Sequence, residues 1–307
     1  MSDTITLESL AAPTSRKTKE RLVRTVVLVA ALVSVMVSAA IVWSLFREAW
    51  VFISQIDWSV TWGQIGWFPR RGIYDVPTLV VATLIVTAVA MVVAIPIGLG
   101  AAIYLSEYAR PKVRKLLKPT LEILAGIPSV VLGAFAITFI APNVVANIGG
   151  DDGGSLMAAG IGVGILTIPL VASISEDAMR SVPRELREAS TGLGARKVTT
   201  VTRVVLPAAT SGLVAAAIVA VSRAIGETMV VFLAGGAADA AIFNSDPYEG
   251  GLTMTAAMAS LASGTDQVVG AGLTFQSLFF VGLLLFVITL TLNLIGNAFV
   301  ARVRERY

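Results

Sequence analysis

Cysteine and histidine are both absent from the 307 residues. The first absence removes disulfide, thiol and cysteine-metal chemistry, although it does not fix the redox compartment. The second removes the commonest general base and metal ligand together. Charge is scarce as well: Asp, Glu, Lys and Arg make up 14% of the chain against 56% hydrophobic residues, too little polarity to cover a soluble domain of this length. No Gly-x-x-x-x-Gly-Lys-Ser/Thr loop, nucleophile elbow or metal-ligand cluster occurs, so the chain is not expected to split ATP or to hold a hydrolase or metal centre. These absences leave an all-α polytopic membrane protein that is not an enzyme and needs no cofactor, because helices satisfy their own backbone polar groups inside lipid.

Long apolar runs are what the chain has instead. Six of them, at about 26–46, 77–105, 120–148, 155–175, 210–233 and 275–300, can cross a hydrocarbon core of roughly 30 Å. The first exceeds the apolar region of a cleaved signal peptide and is read as a retained span. The third is interrupted by Gly126-Ile127-Pro128-Ser129 and ends in the acidic turn Gly149 to Gly154. Pro96, Gly98 and Gly100 predict a kink with close packing in the second run, and Gly160, Gly162 and Gly164 predict close helix contact in the fourth. Residues 1–24 form a cytoplasmic N-terminal tail, polar and unstructured to about Ser15; residues 25–75 hold the first span and a tryptophan-rich outer segment; residues 76–307 form a core of five spans with a cytoplasmic loop at 176–208. All five tryptophans (Trp43, Trp50, Trp58, Trp62, Trp67) cluster from the last turn of the first run to the start of the second, which places Arg47 to Asp75 along the outer headgroup surface. Leu252 to Ser263 is too short to cross and is expected to be a re-entrant or surface helix.

Charge sorts these runs across the membrane. The four segments placed inside hold 5, 5, 6 and 3 basic residues, 19 of the 23, and the outer segments hold Arg47, Arg70 and Arg71. Both termini are therefore expected in the cytoplasm. The outer face carries nine acids, among them Asp57, Asp152 and Glu249, and is electronegative, which favours delivery of an anion by a partner over long-range attraction. Lipid phosphate and topology account for the basic inner segments, so no nucleic acid is invoked.

The polar stretch from Glu176 to Arg203 separates the fourth and fifth runs. Ser181 is expected to cap a short helix with Pro183 in its first turn, ended by left-handed Gly192 and Gly194. A second helix, about Arg196 to Val205, should stop before Pro207 and present Val198, Val201 and Val205 on one face. An exposed amphipathic pair of this kind suits a groove on a partner. Glu188-Ala189-Ser190, Gly194, Val204 and Leu206-Pro207 have the spacing of the cytoplasmic EAA loop of ABC-importer permeases, which the stretch resembles, with Ser190 for the second alanine and Val204 for the usual isoleucine. The resemblance implies that Glu188, Ala189, Gly194, Leu206 and Pro207 couple the chain to a separate ATP-hydrolysing subunit.

Three further stretches, Ala101 to Tyr108, Leu124 to Val131 and Ser222 to Met229, are similar to permeases of the high-affinity phosphate importer, PstC-type more than PstA-type, from about Val76 onward. That family implies a second, unlike phosphate permease, two copies of an ABC ATPase and an extracytoplasmic phosphate-binding protein as partners, besides membrane lipid. Arg223 stands deep in the fifth run, where a charge normally faces a protein interior or an aqueous path. One reading has Arg223 meet phosphate oxygens while Glu227 orients it. The other makes the two an ion pair, four residues apart on one helix face. Glu122, one turn into the third run, is an interfacial residue paired with a loop cation or, alternatively, a pathway residue. Outside phosphate, the alternatives are a sulfate or molybdate permease, a secondary transporter and a non-transporting sensor.

Overall fold

The computed structural model describes residues 14–59, 61–63, 65–236, 241–263 and 272–303. Residues 1–13 of the tail, the outer acids Asp239 and Asp266, and Arg304 and Arg306 lie outside the described residues. Among the described residues, five helices are long and apolar enough to cross a membrane, and one bent pair supplies a sixth span.

Helix α1 (Thr14–Gln55) has 42 residues, roughly 60 Å at 1.5 Å per residue, far longer than the expected span. No glycine or proline interrupts it, so Arg47 to Gln55 extend the helix instead of lying flat on the outer surface, and Trp43 and Trp50 belong to it. Ala49 and Phe52 are buried at its far end, where Phe52 meets Tyr74 edge-on at 4.9 Å and stacks on Phe280 at 4.8 Å. Its residues 20–40 are exposed on all sides. A hairpin of β1 (Trp67–Phe68) and β2 (Ile73–Tyr74) follows, closed by Gly72 at φ 71°. Trp67 is buried against Tyr74, so it is a core residue and not an interfacial one; Trp43, Trp50, Trp58 and Trp62 remain exposed.

Helix α2 (Val76–Ile103) runs on through a wide π-helical turn to Tyr108 and packs against α5 (Leu156–Arg180), whose first turn is capped by Ser155 accepting from the Ala158 N–H. The glycines explain how closely these two helices approach. A Cβ on Gly160 would lie 2.6 Å from Val89 Cβ and one on Gly164 2.8 Å from Val93 Cβ, while Gly98 stands in the same relation to Val171.

The third span begins later than expected. Pro111–Ala125 is a separate helix, α3, and the span starts at α4 (Ser129–Phe135), continuing in π-helical turns to Val145 and a tighter turn to Ile148. Pro128 cannot donate a backbone hydrogen bond and keeps Ile127 out of helical geometry, so Gly126-Ile127-Pro128 separates two helices instead of kinking one.

The fifth span is broken as well. After α5 come α6 (Arg184–Gly192), α7 (Lys197–Thr200), π-helical turns at 201–205 and α8 (Leu206–Ala208); this arm meets α9 (Thr210–Ile225) at 70°. The chain then leaves the helix at Gly226-Glu227-Thr228 before α10 (Met229–Ala234). A short helix does form in the 252–263 stretch: α11 (Met254–Ala262), capped by Thr253 and buried over its first turn. Helix α12 (Thr274–Val303) completes the bundle.

Candidate functional site

The polar interruption folds into an exposed tip on a tightly held base. Ser181 ends α5 instead of starting α6, donating to the Ala178 carbonyl at 2.7 Å, and Pro183 holds the N-cap position of α6. Gly194 has φ 79° and forms the elbow, whereas Gly192 is still helical, so one glycine makes the turn and not two. Ser190 and Thr200 hydroxyls meet at 2.9 Å and join the two arms. Pro207 does not end the second arm: π-helical turns at 201–205 precede it, and the helix passes through Pro207 to bend at Ala209. Of the expected apolar face, Val201 and Val205 are buried and Val198 is exposed.

Arg187 is the bolt of this base. Its guanidinium donates to Glu107 Oε1 at 2.9 Å, to the Val182 carbonyl at 2.7 Å and to the Met179 carbonyl at 2.8 Å, tying α6 to the ends of α5 and α2. Beneath it Ala102, Met179, Val182, Val205 and Ala209 form a small apolar cluster against which Leu206 packs. The five residues singled out in the loop therefore separate. Glu188, Ala189 and Gly194 are exposed at the tip beside Leu193, which is 90% exposed; Leu206 serves the base; Pro207 is exposed at the bend. The apex of this firmly held hairpin thus carries an almost fully exposed leucine.

A second cluster is one that the sequence reading missed. Glu176, fully buried in α5, receives Lys118 at 2.9 Å and Arg114 on its other oxygen, both from α3, with Arg180 at 3.9 Å. Lys118 also meets Asp177 at 2.8 Å, and this bond, with that to Glu176, holds its ammonium above the usual lysine range. A signal for it exists: Arg114 and Lys118 are four apart and share a helix face, and Glu176-Asp177 is an acidic pair at the end of an apolar run.

The intramembrane residues do not form the same-face ion pair that their spacing allows. Arg223 is exposed on the last turn of α9, while Glu227 lies beyond Gly226 in the break, half-buried, so the two do not share a helix face and make no ion pair. The backbone carbonyl of Glu227 accepts from the Thr255 hydroxyl of α11 at 2.7 Å. Met229 and Val230 of α10 press on Gly133 of α4, where a Cβ would stand 3.0 Å from the Met229 carbonyl oxygen. Glu122 falls on the exposed side of α3, outside the third span, and pairs with no loop cation among the described residues. Among the described residues no three His, Cys, Asp or Glu side chains are grouped to hold a metal.

Residues 94–306 match the family of binding-protein-dependent transport system inner membrane components. "Phosphate transport system permease protein PstC 1" of Mycobacterium tuberculosis is 34% identical over 256 residues, 76% of this chain and 75% of that protein. "Phosphate transport system permease protein PstC" of Pasteurella multocida is 28% identical over 287 residues, 87% of each chain. Among solved structures, an inward-facing MetNI methionine ABC transporter superposes with a TM-score of 0.54 at 22% identity, over 74% of this chain and 94% of that one. A bacterial ABC transporter involved in import of the acidic polysaccharide alginate reaches 0.60 at 14% identity, over 94% and 100%. At these identities the two structures speak for the fold alone.

Proposed function

This chain belongs to the family of binding-protein-dependent transport system inner membrane components, and we propose that within it the chain is the transmembrane permease subunit of an ATP-binding-cassette importer for inorganic phosphate. The observation that carries the substrate is the likeness to phosphate permeases along three quarters of the chain. It forms its pathway with a second, unlike permease, receives phosphate from an extracytoplasmic binding protein, and is driven by two copies of an ATPase. Both termini lie in the cytoplasm, which puts the α6–α7 tip on the side where ATP is present.

The mechanism follows from which parts are stiff. ATP-driven closure of the ATPase pair moves the tip of Glu188, Ala189, Leu193 and Gly194. Because Arg187 and the cluster under Leu206 fix that tip to the ends of α2 and α5, the displacement passes into the spans as a rigid-body rotation and not into loop bending. Within the membrane, Arg223 presents two guanidinium N–H groups to two phosphate oxygens on the path between the permeases. The break at Gly226-Glu227-Thr228 lets α9 and α10 move separately there, and Glu227, carried on that break, draws the arginine off a departing anion as the two segments move.

Uptake of labelled phosphate into vesicles carrying the chain with its copurifying permease and ATPase tests the reading. Uptake should need ATP and binding protein and be competed by unlabelled phosphate. Equal competition by sulfate or molybdate would move the substrate to another oxyanion, and uptake without a nucleotide would replace the importer by a secondary transporter.

A further inference from the structure

Helix α3 is turned inside out with respect to an ordinary surface helix. Arg114 and Lys118 point inward to Glu176, while Leu116 and Ile123 are 69% and 73% exposed, with Val113 and Leu124 beside them. At 100° per residue, positions 113, 116, 120, 123 and 124 form one edge, and Lys112, Lys115 and Glu122 the next edge round. Arg110, Lys112 and Lys115 are exposed and, among the described residues, make no ion pair or hydrogen bond through their side chains.

Connectivity fixes the level of this helix. It joins the end of the second span at Tyr108 to the start of the third at Ser129, so both its ends sit at one membrane boundary. Tyr104, 46% exposed, marks that boundary as an aromatic belt does, and Tyr108, 41% exposed, stands at the same level with the Lys197 ammonium 4.8 Å from its ring. An apolar edge, free cations on the neighbouring edge and aromatic residues at the same depth are the three marks of a helix lying in the headgroup plane.

We infer that α3 is an interfacial helix that binds anionic phospholipid, with Leu116 and Ile123 among the acyl chains and Lys112 and Lys115 on the headgroup phosphates. The inference rests on the permease reading only for which leaflet is met, the cytoplasmic one, where anionic lipid concentrates. It gives the lipid an influence on transport, because the opposite face of α3 grips Glu176 and Asp177 a short distance along the chain from α6. Lipid that settles α3 steadies the base from which the coupling tip projects.

The absence of cysteine makes the test direct. The complete transporter with Ile123→Cys, labelled with bimane, is placed in vesicles of phosphatidylcholine, or of phosphatidylcholine with one part in four phosphatidylglycerol, with a spin label on either lipid. Bimane should be quenched by the lipid label and protected from aqueous iodide, and labelled phosphatidylglycerol should quench at several-fold lower mole fraction than labelled phosphatidylcholine. Lys112→Gln and Lys115→Gln should each lower that preference about fivefold at most, the share of one surface lysine, and the double variant should abolish it. Iodide access to residue 123, protection from both quenchers as under a protein partner, or an unchanged preference in the double variant would each overturn the inference. So would loss of the preference on adding millimolar inorganic phosphate, which would make the site one for the free anion. None of these readouts depends on transport, so a failed uptake assay leaves the outcome intact.

Discussion

Glu176 near the end of α5 and Lys118 on α3 stand 58 residues apart in the chain and 2.9 Å apart in space, with the carboxylate buried and Arg114 on its other oxygen. The pair ties α3 to α5 directly before α6 begins. A buried carboxylate held by two cations from one helix fixes the position of that helix by direction as well as by charge.

Removing the carboxylate therefore has a foreseeable cost. Glu176→Gln leaves two cations facing a neutral amide, and thermal unfolding in detergent should show a loss of roughly 3 kcal/mol, the lower end for a broken buried pair because Lys118 stays partly exposed. The pH dependence has a definite sign. Since the Lys118 value is raised in the folded state, its contribution is complete below the ordinary lysine range and fades as pH rises through the raised value. Stability should thus be flat near neutrality and drop in strong alkali, with the drop reduced in Lys118→Met. A Glu176→Gln protein as stable as the parent would show the cluster to be ornamental.

The elbow offers a cleaner separation of fold from coupling. Gly194 has φ 79°, and no atom lies within 4 Å of the place a Cβ would take, so space is free and the backbone alone is demanding. A β-branched residue there costs about 1–3 kcal/mol of local strain. Gly194→Val should reach the membrane at the parental level yet uncouple ATP hydrolysis from phosphate uptake. Gly192→Ala, at a helical position with equally open space, should keep coupling. Normal uptake by Gly194→Val would remove the tip from the coupling path.

The apolar runs were legible because twenty residues without charge have one stable environment, and the EAA-like spacing was legible because Gly194 does take the positive φ its place in the pattern requires. The breaks were harder. Leu121, Ile123 and Leu124 look like the first turn of a span; Gly126-Ile127-Pro128 marks the break in the sequence, but that the part before it lies apart as α3 depends on Glu176, from another helix, turning Arg114 and Lys118 inward. At the fifth run, apolarity continues past Gly226 to Leu233, while the helix stops where Thr255 takes the Glu227 carbonyl and α10 seats on Gly133. The hairpin that buries Trp67 was equally hidden, since an indole near a membrane edge has the same sequence signature whether it faces headgroups or a core. These are tertiary choices between two locally acceptable states.

The proposed orientation, with both termini in the cytoplasm, rests on the basic segments and is easily checked in a chain without cysteine. Single cysteines at Ser15, Ser181 and Arg302 should be protected from an impermeant maleimide in intact cells, and cysteines at Asp152 and Ser245, both exposed in turns, should react. Labelling of Ser181 from outside would invert the topology and with it the side on which the tip meets ATP.

Arg223 poses the sharpest question, because the break at Gly226 removes the simplest structural explanation for it. A guanidinium within a span normally finds a carboxylate, another subunit or water, and Glu227 does not share its helix face. If Arg223 meets phosphate, Arg223→Met should assemble and hydrolyse ATP but lower uptake about ten- to hundredfold, the worth of one or two charge-assisted hydrogen bonds. Arg223→Lys should be impaired as well, since an ammonium keeps the charge but loses the two-pronged fork. Glu227→Gln alone should be milder for assembly, because the atom held by Thr255 is a backbone carbonyl that the substitution leaves in place. The double variant Arg223→Met, Glu227→Gln decides the matter. It removes both charges together, so two residues with no part in the pathway would tolerate it, whereas a pathway arginine would not. Near-parental phosphate flux through that double variant, at normal assembly, would take Arg223 out of the pathway.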